Sequence, residues 1–103
     1  MDRAKKLKIL KKSFLGEYKP IKFKGVPITV YKGEIFVGDG SKTELISKIA
    51  SEHNARIFYE CDSDGKVIGI SIVPNVGFNG ETMESWFEKN GLKVLKKLAE
   101  LFS

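Results

Sequence analysis

Apolar positions recur at helical spacing near both ends of the chain and in its middle, and at strand spacing in between. Over residues 1–15, Ala4, Leu7, Leu10 and Phe14 fall on one stripe in steps of three, three and four, which predicts an amphipathic helix. Leu15-Gly16 closes it, because glycine is favoured just past a helix end. Ile21 and Phe23 then alternate with Lys22 and Lys24, the period of a half-buried strand. Gly25 and Pro27 mark a turn. Ile28 to Tyr31 and Ile35 to Val37 read as two further short strands around a Lys32-Gly33-Glu34 turn.

The stretch from Phe36 to Glu44 leads from a strand through a glycine turn into a second helix. Ser41-x-x-Glu44 has the spacing of a capping box, in which each side chain satisfies a free N–H of the first turn. Gly38 and Gly40 allow the positive φ that a tight strand-to-helix turn often needs. The helix is expected over 41–53, with Leu45, Ile46, Ile49, Ala50 and His53 on its apolar side and Asn54 just past its end.

Residues 56–73 read as a β-hairpin around Asp64-Gly65. Pairing Ser63 with Lys66 sets Cys61 against Ile68, Tyr59 against Ile70 and Ile57 against Ile72, all on one apolar face. Cys61 is thus expected to be a buried small hydrophobe. Residues 74–80 form a loop, with Phe78 expected to anchor it in the core. Residues 81–102 are helical, either as one helix with a weak point at Asn90-Gly91 or as two. Met83, Phe87, Val94, Leu98 and Leu101 form its stripe, with Trp86, Leu95 and Phe102 beside it. That stripe is wide enough to serve both a core and a homo-oligomeric contact through this helix.

The order α-β-β-(β)-α-β-β-α with short connections predicts a single α+β domain over residues 1–103. Its antiparallel sheet has four to five strands, with helices packed mainly on one face. A chain of 103 residues supports one modest core. No run approaches the length of a membrane-spanning helix, and the apolar part of the basic N-terminus is too short for a signal peptide. One cysteine permits no internal disulfide, and a lone thiol fits a reducing, cytoplasmic setting.

Charge changes the picture most. The chain carries a formal net charge of +5. Residues 1–24 hold nine of the 18 Lys and Arg with only Asp2 and Glu17 as acids, so the front of the chain is +7 and the remainder −2. Lys5, Lys8 and Lys12 share the side of the first helix opposite its apolar stripe, flanked by Lys6 and Lys11. Lys22 and Lys24 add a second strip if they point outward. A concentrated patch of this kind attracts polyanions.

Catalytic and metal chemistry find little support. Lys42-Thr43 ends like a phosphate loop, but Phe36 and Ser41 stand where that motif needs glycine. Asp62-Ser63-Asp64-Gly65 resembles the start of a calcium loop, but Lys66, Val67 and Val73 occupy its required acceptor and glycine positions. One Cys and one His make a poor soft-metal ligand supply, and His53 suits a capping or packing role. Glu81, Glu84 and Glu88 share a helix face where acids favour the dipole. No catalytic residue, metal or cofactor is expected.

The first half of the chain, a helix, three short strands, a glycine turn and a helix, resembles the double-stranded RNA-binding domain through Gly38, Gly40, Ser41 and Lys42. The resemblance implies that lysine at the start of the second helix reaches phosphates across the RNA major groove. Thr43, Glu44, Leu45 and Ile46 stand where that family places further lysine and alanine, and the chain continues well past the family's last helix.

These readings point to a small non-enzymatic module contacting nucleic-acid phosphates through Lys5, Lys8, Lys12, Lys22, Lys24 and Lys42. The alternative is an inhibitor or adaptor docking on an acidic or nucleic-acid-binding protein, with the same lysines steering association. Exposure of Trp86, Phe78 and Phe102 as an apolar patch would favour a protein interface; their burial would favour the basic strip.

Overall fold

A computed structural model describes residues 3–77 and 80–103. The elements are α1 (Arg3–Phe14), β1 (Ile21–Lys22), β2 (Ile28–Tyr31), β3 (Glu34–Val37), α2 (Thr43–Glu52), β4 (Ala55–Cys61) and β5 (Val67–Pro74). A last helical run follows, made of α3 (Met83–Trp86), a π-helical turn (Phe87–Gly91) and α4 (Leu92–Leu101). The strands form one antiparallel sheet in the order β1-β2-β3-β5-β4. The domain is α+β, as its element order predicts, and the sheet has five strands.

Alternation along the strands sends one set of side chains to the helices. Ile28, Val30, Ile35, Val37, Ile70 and Ile72 are fully buried on that face. Ile46, Ile49 and Ala50 of α2 close over them, with Val94, Leu95 and Leu98 of α4. Trp86 is buried as well. Its indole Nε1 donates to His53 O at 2.7 Å and Asn54 O at 3.1 Å, which satisfies the carbonyls left open where α2 ends. His53 is buried in the packing role expected of it, its Nδ1 2.7 Å from Ile49 O, and Asn54 takes the left-handed conformation at φ 53°.

Asn90-Gly91 does not divide the last helix. The run stays helical and absorbs the weak point as a π-helical turn. A Cβ on Gly91 would lie 2.5 Å from Phe87 Cδ2, so glycine is what lets that ring lie against its own helix. The broad apolar stripe of this helix is largely consumed by the core: Val94, Leu95 and Leu98 are buried and Phe102 is half-buried. The expectation for Phe78 falls outside the described residues.

Three local expectations are corrected. Ser41 caps nothing: its N–H and hydroxyl both donate to Asp39 Oδ1, and α2 begins at Thr43 with no side-chain cap. The nearer acceptor wins, because a carboxylate two residues upstream closes a tight local ring. The capping box lies instead at Thr82 and Ser85, ahead of α3. Gly38 and Gly40 are not at positive φ. Gly40 is there for space, since a Cβ would lie 1.9 Å from Val67 O.

The third correction concerns the hairpin tip. Asp62 N–H donates to Lys66 O and Gly65 adopts φ 83°, giving a three-residue loop where two were expected. An irregularity at Glu60/Cys61 restores the expected register, and Ile57↔Ile72 and Tyr59↔Ile70 pair as predicted. Beyond it Cys61 faces Val67 rather than Ile68. Val67 packs on the core, whereas Ile68, Tyr59 and Cys61 are exposed. Cys61 is therefore not a core residue: the helical layer does not cover this end of the hairpin.

Candidate nucleic-acid interface

Helix α1 is built from strong helix formers and closes with a Schellman motif. Gly16 N–H donates to Ser13 O, Glu17 N–H to Lys12 O, and Gly16 takes φ 80°. Only its last turn is buried. Phe14 stacks on Trp86 and Phe87, and Ser13 Oγ lies 2.8 Å from Lys19 O and 2.9 Å from Val30 O. Ser13 O and Phe14 O also accept from Lys32 N–H and Gly33 N–H, which ties the helix end to the β2–β3 turn. Earlier in the helix, Leu7 and Leu10 are only half-buried and Ala4 is exposed, so the predicted stripe docks at one end alone.

Lys5, Lys8 and Lys12 are exposed along one side of α1. Lys11 is engaged otherwise. Its Nζ donates to Glu88 Oε1 at 2.7 Å and lies 3.5 Å from Glu84 Oε2, bracing α1 against the last helical run. The hydrogen bond it donates to Glu88 chiefly, with the charge of both glutamates, holds the Lys11 ammonium above its usual range. Glu81 is occupied by Ser85 Oγ at 2.8 Å and Lys89 at 3.4 Å. The acidic face of this helix is thus engaged in ion pairs, Glu84 and Glu88 with Lys11 and Glu81 with Lys89. Among the described residues no three His, Cys, Asp or Glu gather as a metal site.

The remaining predicted lysines do not form one strip with α1. Lys22 pairs opposite Thr29, with its side chain on the sheet face turned away from the helices, while Ile21 opposite the buried Val30 faces them. Lys24 is exposed in the following turn. Lys42 lies at the start of α2, its Nζ 5.9 Å from the centre of the Phe102 ring.

Two lysines not counted among the site residues come together, Lys6 of α1 itself and Lys19 of the segment after it. Lys6 and Lys19 flank a groove of about 500 Å³ floored by Ile9, Leu10, Ile21 and Phe23, with Tyr18 on its wall. Lys19 Nζ is 5.8 Å from the Tyr18 ring. The Tyr18-Lys19 pair beside the helix end was the available signal for it.

Comparison with protein-family models, curated proteins and solved structures finds no match for this chain. No helix of the described residues is long and apolar enough to cross a membrane.

Proposed function

We propose that this protein is a small non-enzymatic module that binds the phosphate backbone of nucleic acid through α1. The observation that carries this reading is how α1 is held. One turn anchors it in the core, and Lys5, Lys8 and Lys12 are exposed on the opposite side. Core stability does not require three lysines in that row, whereas neutralising successive phosphates does. Lys22 and Lys24 extend the contact around the β1 edge, and Lys42, being near Phe102, adds at most one separate contact. Such contacts fix affinity and position without reading sequence. Burial of Trp86 supports the same reading, since it takes that ring out of reach of a protein partner. The exposed single thiol of Cys61 suits a reducing, cytoplasmic setting.

The groove beside Lys6 and Lys19 favours a second reading, an acidic protein segment whose apolar side chain enters between α1 and β1. Fluorescence anisotropy with labelled duplex DNA, duplex RNA and single strands over a salt series separates the two. Nucleic-acid binding that weakens steeply with salt supports the first. Its absence at physiological salt sinks it.

A further inference from the structure

Strand β4 is an edge strand of seven residues, with no proline and, among the described residues, no helix or loop hydrogen-bonded along its outer side. Its main-chain orientation is fixed by two observations. Asn75 N–H donates to Asn54 O, and Ala55 lies opposite Pro74, which has no N–H to give. The even-numbered residues therefore hydrogen-bond to β5, and the N–H and C=O groups of Ala55, Ile57, Tyr59 and Cys61 point out of the sheet. Phe58 and Tyr59 are each 53% exposed on this strand, and the core accounts for neither.

The sequence of that edge is self-complementary. If a second copy runs antiparallel about a two-fold axis at Phe58, all seven residues overlap. Ile57 then meets Tyr59 of the other copy and Ala55 meets Cys61, each as a hydrogen-bonded pair. Arg56 meets Glu60 and Phe58 meets Phe58 as the closer, non-hydrogen-bonded pairs. Symmetry forms the Arg56–Glu60 pair twice. Arg56 and Glu60 lie on the same face of the strand, and neither makes an ion pair among the described residues. Arg56 is already held in place by Asn75 Oδ1 at 2.9 Å and by the Phe58 ring, 5.6 Å from its guanidinium.

We propose that β4 is the contact of a homodimer in which two five-stranded sheets join into one of ten strands. Because β1 and β4 are opposite edges, the α1 face remains open in the dimer. This proposal therefore stands independently of the nucleic-acid reading.

The test is sedimentation velocity of the full chain from about 10 μM to about 1 mM. The proposal expects a species near twice the 11.5 kDa monomer. Glu60→Arg sets two arginine pairs face to face and should weaken association about tenfold or more. The double variant Arg56→Glu/Glu60→Arg should restore it. A monomer throughout the range, or a dimer indifferent to the charge reversals, overturns the proposal. A second readout comes from Phe58→Cys in a Cys61→Ser background under oxidised glutathione. The proposed register brings the two introduced thiols within disulfide reach, whereas native Cys61 residues lie about 20 Å apart. Cross-linking of Phe58→Cys but not of the native chain supports the register; the reverse contradicts it.

Discussion

The rings of Phe14 and Phe87 stack with centroids 4.8 Å apart, and this pair joins the first helix to the last. Phe14 is fully buried, so Phe14→Ala should cost about 3–5 kcal/mol in urea unfolding followed by circular dichroism. Gly91→Ala should also destabilise, by about 1–3 kcal/mol, although alanine is the better helix former. The added Cβ would meet the Phe87 ring from below. A stabilised Gly91→Ala protein would show that the ring packs elsewhere.

Gly38 and Gly40 make a matched pair for the strand-to-helix turn. Gly40→Ala forces a Cβ into Val67 O and should cost about 3 kcal/mol, near the upper end for overpacking. Gly38→Ala meets nothing nearer than 3.6 Å and should stay within about 0.5 kcal/mol of the parent. Equal effects would mean that the turn does not press on β5 as described.

Trp86→Phe keeps an aromatic ring, though a smaller one, and strips the indole donor from His53 O and Asn54 O. Asn54 O keeps the Asn75 N–H, but leaving His53 O without its indole donor should cost about 1–3 kcal/mol. The loss should appear as earlier amide exchange at the end of α2.

Acid titration provides a further check. Hydrogen bonds from the Ser41 hydroxyl and then its N–H, aided by the Lys42 charge, hold the Asp39 carboxyl below its usual range. Its folded-state value lies under its unfolded one, so the contribution is present above the unfolded carboxylate value and lost as pH falls through the folded one. Asp39→Asn should therefore differ most from the parent near neutrality, and the gap should close between about pH 5 and about pH 2. A gap constant across that window would assign the effect to something other than this ionisation.

Much of the fold is legible because alternation and period report which face is buried. The hairpin shows where that legibility stops. Ile57↔Ile72 follows from alternation, but the tip is decided by Asp62, whose carboxylate accepts from the Asp64 and Lys66 N–H groups and favours a three-residue loop. Ser41 leaves its expected capping position for the same reason, as Asp39 takes both of its donors. Such local contests leave no trace in hydrophobic pattern. For the candidate interface, the lysine row on α1 was legible from spacing. The separation of Lys22 and Lys42 from it was not, because strand pairing and helix packing set which face each one occupies.

The central claim is tested most directly by the salt dependence of duplex binding, comparing the parent with a Lys5→Gln/Lys8→Gln/Lys12→Gln variant. Each phosphate contact contributes about 0.9 to the slope of log affinity against log salt. The account predicts a slope shallower by roughly 2–3 in the variant, with weaker binding to every sequence tested. An unchanged slope would contradict it and remove α1 from the interface.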